Sequence, residues 1–364
     1  MRALYIAPRD FPRRVANRGQ TMKMAEALSR HCDLALAVSK LHCSKDELWD
    51  YYGITHPFEI ETMGEPQLKP TTVFNLPAMT RSIVRHRPQM IYIREEAPAW
   101  LLSFVFRNMA FEMLDYIPQR VGMYSGIVRR SRRTFVISKG LMETAVSHGL
   151  PPEKLELAPD GVDLPAFDIS DDLLAARRRV GLSPDYKIVL YTGRLTDWKG
   201  VDVLIKSVKH LPEQVRVVIV GGFEGEPQQL QKLVVEQGTQ DRVELREFVP
   251  HSEIPYLLKA ADVLVIPNKG VSRLSTHHTS PLKLFEYMAA RRPIVASDLP
   301  SIREIVDEES AVMVPAGDPK ALALGLIRAM SGTGDVSKIV DEAYRKVGRY
   351  SWDKRAQQVL AAFA

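Results

Sequence analysis

The sequence predicts an α/β protein of two Rossmann-like, doubly wound domains in tandem. Three observations lead there. The chain has 364 residues, which is long for one hydrophobic core. Short apolar runs alternate with amphipathic stretches through both halves, the pattern of parallel strands joined by helical crossovers. Between the two series lies the turn signal Pro159-Asp160-Gly161-Val162-Asp163, followed by the polar, loosely patterned stretch Leu164–Ser183. The domains are therefore expected at 1–165 and 166–350, with a last helix at 351–364 that packs back on the first, and with a cleft between the halves.

In the first half, Arg2–Pro8, Asp33–Val38, Gln89–Arg94, Met109–Leu114, Thr134–Ser138 and Leu155–Ala158 read as strands. Gly19–Arg30, Thr72–Arg87, Ala97–Arg107 and Gly140–Ser147 read as helices. The apolar run Trp100–Phe106 reads as core rather than membrane contact. The loop Pro8–Gly19 carries four arginines, two prolines and Asn17 just beyond the first strand. In an open α/β sheet, ligands bind beyond the carboxyl ends of strands. The loop reads equally as an anion-facing segment or as a plain surface loop.

A helix follows around Asp171–Val180. In the second half, strands are expected at Lys187–Thr192, Val215–Gly221, Val243–Phe248, Asp262–Pro267, Pro293–Ser297 and Ala311–Val314. Helices should start near Gly200, Glu226, Ser252, Pro281, Ser301 and Pro319.

The totals narrow the function. Hydrophobic residues make up 45% and charged residues 26%, as in ordinary globular chains. No apolar run reaches the length of a membrane-spanning helix, and the apolar N-terminus is too short for a signal peptide. Cys32 and Cys43 cannot form a metal cluster alone, and the lack of an export signal leads to the expectation of a reducing, cytoplasmic setting. The net charge is +5, and residues 1–163 carry 22 Lys and Arg against 18 Asp and Glu. That excess is dense at Arg129, Arg130, Arg132 and Arg133 and again at Arg9, Arg13, Arg14 and Arg18. It reads as a solvated face, or as attraction to anionic lipid or a phosphate-bearing substrate, with peripheral contact at the inner face of the membrane. No aromatic-studded basic repeat accompanies it, which argues against nucleic acid.

The stretch His277–Ala290 carries the sharpest chemistry. Ser280 suits an N-cap and Pro281 the first helical position. The helix start near Ser280, Leu282 and Lys283 would then offer N–H groups and a positive dipole end to a phosphate. Glu286 lies about 9 Å further along the axis, within reach of a ribose attached to a diphosphate. An ordinary capped core helix with a surface Lys283–Glu286 pair fits the same residues. Gly193–Gly200 adds two cations, Arg194 and Lys199, after the first strand of the same domain.

Gly193-Arg194 with Lys199-Gly200, Val218–Gly222, Val249-Pro250, Ala261–Val263, the Ser280–Met288 helix, Pro293–Pro300 and Val314–Pro319 resemble the donor domain of family 4 retaining glycosyltransferases. Ile137-Ser138, Pro159–Asp163 and Tyr350–Trp352 are similar to that family's domain junctions. The resemblance implies the GT-B fold, with two Rossmann-like domains facing a central cleft. It implies transfer of a sugar from a UDP- or GDP-sugar to a glycan or lipid-linked acceptor in cell-envelope polysaccharide or glycoconjugate synthesis. In that reading Arg194, Lys199, Ser280, Leu282 and Lys283 hold the diphosphate and Glu286 holds the ribose. Gly221, Gly222, Phe248, Val249 and Pro250 line the base region. Asn17, Arg18 and Gly19 face the acceptor, and no metal or other cofactor is needed.

Three positions depart from the family pattern. His278 stands where the family has a carboxylate contacting the donor sugar, and is itself a catalytic candidate in this reading. Phe111–Asp115 lacks the family's histidine, leaving Glu112 or Asp115 as catalytic candidates. Glu247 replaces a glycine before the base-binding loop. These departures keep two rivals open: a nucleotide-sugar epimerase, and a non-catalytic homologue that binds a glycan or a partner.

Overall fold

A computed structural model describes residues 1–13, 16–64, 76–222 and 226–364. The chain divides into two units, Met1–Asp160 with Trp352–Ala364, and Gly161–Ser351.

The first unit holds a parallel sheet of seven strands. They are β1 (Arg2–Phe11), β2 (Asp33–Leu41), β3 (Glu59–Thr62), β4 (Met90–Ile93), β5 (Met109–Met113), β6 (Arg133–Val136) and β7 (Leu155–Leu157), in the order β3-β2-β1-β4-β5-β6-β7. Strands covered on both faces read as continuous apolar runs. Met90-Ile91-Tyr92-Ile93 is one, and all four side chains are buried. β1 corrects the expected Pro8–Gly19 loop. After a register shift past Ala7, Asp10 and Phe11 still pair with Lys40 and Leu41, and the next helix opens at Ala16. Residues 14–15 and the start of the expected Thr72–Arg87 helix lie outside the described residues; that helix runs from Leu76 to His86.

The structure adds β3 and helices Lys45–Tyr52, Val121–Arg130 and Gly334–Val347 to the expected alternation. The first of these has a readable start. The Ser44 hydroxyl accepts from Glu47 N at 3.2 Å and the Glu47 carboxylate accepts from Ser44 N at 2.8 Å, a capping box. The expected Ala97–Arg107 helix stops at Leu102. Trp100, Phe104 and Val105 are 37%, 52% and 80% exposed, so this run is not the core segment its composition suggested.

The second unit holds a parallel sheet of six strands. They are β8 (Lys187–Thr192), β9 (Val215–Val220), β10 (Val243–Arg246), β11 (Val263–Ile266), β12 (Ile294–Ser297) and β13 (Val312–Val314), in the order β10-β9-β8-β11-β12-β13. In both sheets the winding reverses once, between β1 and β4 and between β8 and β11. Crevices form beyond the carboxyl ends of strands at such reversals.

The Pro159–Asp163 turn ends the first unit at Asp160, because Val162 already pairs with Ser351 and donates to Tyr350 O at 2.8 Å. The closing helix Trp352–Ala361 belongs to the first unit. Asp353 meets His31 at 2.6 Å, and Arg132 Nε donates to Ala362 O at 2.7 Å. Arg355 reaches into the core of that unit, where Nε and Nη2 donate to Ala158 O at 3.2 and 3.1 Å.

Candidate functional site

The reversal between β8 and β11 gathers the predicted cations. β8 ends at Thr192, and Gly193 follows with φ 130°. A Cβ at Gly193 would stand 3.0 Å from Lys283 Nζ, so glycine is what admits the lysine here. The loop then runs through a 3₁₀ turn, Asp197–Lys199, to Gly200 at φ 69°. A Cβ on Gly200 would fall 1.8 Å from Pro267 O, so the loop seats directly on the end of β11. Lys269 N donates to Trp198 O at 2.8 Å and closes that contact.

The helix that follows β11 spans Leu282–Ala289. Pro281, not Ser280, occupies its N-cap position, and no side chain caps it. Before it, Leu274–His278 form a single π-helical turn, so the helix begins five residues later than His277. The π turn buries Ser275 and His278. Leu284, Phe285, Tyr287, Met288 and Ala289 are buried as the apolar stripe requires. Lys283 is buried with them.

No surface Lys283–Glu286 pair forms. Lys283 Nζ lies 3.6 Å from the centroid of the Tyr191 ring and has no hydrogen-bond partner among the described residues. Burial pulls its pKa well below the usual lysine range, the Lys199 charge pulls it further, and Glu286 opposes both. Lys199 Nζ lies 3.7 Å from the centroid of the Trp198 ring. Burial first, and Arg194 second, push Lys199 down to about 7. Arg194 itself donates from Nη2 to Glu226 Oε1 at 3.0 Å, and Leu195 N to Glu226 Oε2 at 3.3 Å. Burial thus drives both lysines toward losing their protons, and the Lys199 charge adds to this at Lys283. An anion between them would reverse that pressure.

Glu286 Oε1 lies 2.8 Å from His251 Nε2. His251 opens the 3₁₀ turn after Pro250, so the Phe248–Pro250 segment leads straight to the carboxylate's partner. Gly221 and Gly222, at φ 130° and 92°, end β9; Gly221 N donates to Arg246 O at 3.0 Å and Gly193 N to Val220 O at 2.9 Å. Asn268, two residues beyond β11, is fully buried, yet neither Oδ1 nor Nδ2 meets a partner among the described residues. Sequence reasoning missed both His251 and Asn268. Each is a lone polar residue in a loop, and only the folded chain shows what it faces.

The reversal between β1 and β4 holds a second feature, a pocket of about 370 Å³. Asn17, Arg18 and Asp115 line it, together with Arg9, Arg94, Glu95, Glu96 and Arg120. Gly19 is not part of its wall. Asp115 keeps one oxygen on Tyr116 N at 2.8 Å. Glu112 requires correction. It is fully buried beneath the pocket: Oε1 accepts from Arg355 Nη2 at 3.0 Å and Gln20 Nε2 at 3.1 Å, while Oε2 takes the Tyr92 hydroxyl and lies 3.2 Å from Arg94 Nε. Burial would raise its pKa, but Arg355 and Arg94 outweigh burial and hold the carboxyl below the usual range. Its position on the even face of β5 turns it inward, which makes it a structural ion rather than a catalytic one. Among the described residues no three His, Cys, Asp or Glu side chains group closely enough to hold a metal ion.

Two Rossmann-like units with these reversals are the GT-B glycosyltransferase fold. The fold is shared with HepE of Anabaena, solved with UDP and glucose, at a TM-score of 0.80 and 17% identity over 99% of this chain and 98% of that one. It is shared equally with sucrose-phosphate synthase of Thermosynechococcus elongatus, at a TM-score of 0.79 and 18% identity over 99% and 97% of the two chains. Residues 186–331 match Glycosyl transferases group 1. A D-inositol 3-phosphate glycosyltransferase of Xylanimonas cellulosilytica is 31% identical over 226 residues, 60% of this chain and 52% of the relative. An uncharacterised glycosyltransferase of Methanocaldococcus jannaschii is 29% identical over 240 residues, 64% of this chain and 60% of the relative. The chain therefore spans little more than half the length of the curated relatives it matches.

Proposed function

We propose that the protein transfers a sugar from a nucleoside-diphosphate sugar to a hydroxyl-bearing acceptor, with retention of configuration. The observation that carries this reading is the cationic loop of Arg194 and Lys199 set against the buried, unpartnered Lys283 at the β8–β11 reversal. Breaking the glycosidic bond to a diphosphate builds negative charge on the leaving oxygen. Cations fixed in place beforehand stabilise that charge without reorganising. In this reading Arg194, Lys199, Lys283 and the helix start at Ser280 and Leu282 receive the diphosphate, and no metal ion is called for. Glu286, steadied by His251, takes the ribose hydroxyls, and Gly221, Gly222 and Phe248–Pro250 face the base. His278 and Asn268 lie toward the transferred sugar. Retention follows the family, and the UDP complexes of HepE favour uridine over guanosine.

The test is calorimetry of the whole protein with UDP and GDP, followed by hydrolysis of the matching nucleotide sugar. Binding lost in Lys283→Met, with slow release of free sugar by the parent protein, supports the assignment. A protein that binds neither nucleotide sinks it. Binding without any hydrolysis or transfer would favour a non-catalytic homologue, and release of an epimerised nucleotide sugar would favour an epimerase.

A lipid-linked acceptor fits the first unit. Helix Glu96–Leu102 lines the pocket with Glu96, Ala97 and Pro98 and carries exposed Trp100, next to Phe104 and Val105. The Arg130 guanidinium carbon lies 4.1 Å from the Phe104 ring centroid. Aromatic and basic groups together suit an anionic bilayer surface. Arg133 drops out of the expected basic cluster, because its Nε pairs with Glu156 Oε2 at 3.3 Å. Among the described residues no helix is long and apolar enough to cross a membrane.

A further inference from the structure

An aromatic ring, and not a counter-charge, holds Lys283 beside the cationic loop. Its Nζ lies 3.6 Å from the centroid of the Tyr191 ring and has no hydrogen-bond partner among the described residues. A ring face attracts a cation through its quadrupole, without a fixed negative group that would compete with a phosphate. A carboxylate in that place would already supply the charge that a phosphate brings. Glu286, three residues along the same helix, is engaged by His251 at 2.8 Å. Tyr191 itself is fully buried on β8. Burial first, then Tyr287 and Glu226, hold its hydroxyl well above the usual phenol range, so it stays protonated and donates. Its acceptor is the carbonyl oxygen of Arg194, the neighbouring cation of the site.

The surrounding contacts fix the strand against the helix. Tyr287 lies one turn after Lys283 on helix Leu282–Ala289, and its hydroxyl accepts from Thr192 N at 2.8 Å. Thr192 Oγ1 lies 3.2 Å from the same hydroxyl. Helix and strand are thus pinned at Thr192, and Tyr191 sets where the lysine side chain ends. Gly193 is the way in. It is exposed, and the place a Cβ would take lies 3.0 Å from Lys283 Nζ and 3.8 Å from the Tyr191 hydroxyl. A phosphoryl oxygen entering there would meet Nζ at hydrogen-bonding distance.

We propose that Tyr191 is a positioning residue for the diphosphate site: its ring sets Lys283 Nζ beneath the open face of Gly193, and its hydroxyl fixes the Arg194 carbonyl and with it the loop that carries Arg194 and Lys199. This rests on the transferase reading. Tyr191 acts through two cations and touches no ligand, so the part of its effect that passes through Lys283 disappears when Lys283 is replaced.

The experiment is calorimetric titration of the whole protein with UDP and GDP, for the parent, Tyr191→Phe, Tyr191→Leu, Lys283→Met and the double variant Tyr191→Leu with Lys283→Met. Thermal unfolding is recorded on each. Tyr191→Leu should weaken binding of the nucleotide that the parent takes by about tenfold. Tyr191→Phe keeps the ring and should recover most of that, leaving a loss of about threefold from the missing bond to Arg194. With Lys283 already replaced, Tyr191→Leu should cost no more affinity than Tyr191→Phe costs in the parent. Tyr191→Met, which refills the volume without a ring, stands in for the leucine variant if that one does not fold, with the same losses expected. Unchanged affinity in Tyr191→Leu overturns the proposal. So does a loss in Tyr191→Phe equal to that in Tyr191→Leu, or the same leucine loss on top of Lys283→Met. The parent separates the failures: binding of neither nucleotide rejects the transferase reading and the Tyr191 assignment together, whereas binding without this coupling rejects the assignment alone.

Discussion

Two regions of the molecule bury cations, and they treat them in opposite ways. Beneath the first sheet's pocket, Arg94 and Arg355 close on Glu112, with Tyr92 and Gln20 filling the remaining positions. Both guanidinium groups are driven to hold their protons more tightly, chiefly by Glu112 against the opposing pull of burial. At the β8–β11 reversal, Lys283 is buried and Lys199 half-buried, each against an aromatic ring, and both are driven toward losing their protons. The difference separates scaffold from site. A buried charge with its counter-charge in the fold maintains structure, whereas one without it is waiting for a ligand to bring the counter-charge.

The sharpest way to break this comparison is to remove one cation from each region. Arg355→Met should leave the buried Glu112 carboxylate with Arg94 as its one remaining cation and cost about 3–5 kcal/mol of stability in urea unfolding. It should also loosen the closing helix, seen as faster amide exchange across 352–361. A loss below about 1 kcal/mol would mean that the network is not what holds that helix. Lys283→Met should act in the other direction. It removes a buried, unpartnered amine, so stability should hold or rise by about 1 kcal/mol, while UDP affinity should fall roughly ten- to hundredfold. A variant that both unfolds easily and still binds UDP would make Lys283 scaffold.

A pH experiment probes the same contrast more gently. With Lys199 at about 7, the ligand-free lysine is mostly neutral at pH 8. A bound diphosphate stabilises its charged form, so binding must take up protons. UDP affinity should then fall as pH rises from 7 to 9, by up to about tenfold per pH unit for each lysine. Calorimetry at pH 8 in buffers of different ionisation enthalpy should read net proton uptake. Proton release, or affinity flat across that range, would contradict the lysine assignment. A smaller effect is expected at Glu286→Ala, which should weaken UDP about tenfold while sparing pyrophosphate. Equal losses for both would make the His251–Glu286 contact structural. The smallest effect concerns the surface. Arg129→Glu with Arg130→Glu should reduce co-sedimentation with phosphatidylglycerol vesicles a few-fold and leave phosphatidylcholine unchanged. No reduction removes the membrane patch.

Much of the donor side was legible in advance. Gly193, Arg194 and Lys199 after β8, and the apolar stripe of Leu284, Phe285 and Met288, announce a strand, a cationic loop and a packed helix by local pattern alone. Those same patterns misled at Ser280, where a good capping residue lies one step too early, and at Trp100–Phe106, where an apolar run ends up half in solvent. The acceptor side was less legible. The basic Pro8–Gly19 segment turned out to be partly strand and partly helix, since Asp10 and Phe11 find pairing partners on β2 that lie thirty residues downstream. Glu112 and Asp115 are indistinguishable as letters near a strand end. One faces two arginines in the core and the other faces the pocket.

By itself the sequence determined two doubly wound α/β units, the turn that joins them and the presence of a cationic loop after β8, because strand alternation, helix periodicity and glycine at strand ends are written locally. Only the tertiary structure decided which charges are spent inside the fold and which are held open. Lys283 and Asn268 lack partners among the described residues, while Glu112, Arg94 and Arg355 have theirs. That distinction depends on distances between side chains far apart in the chain, and on the loss of water around them, which no local pattern encodes.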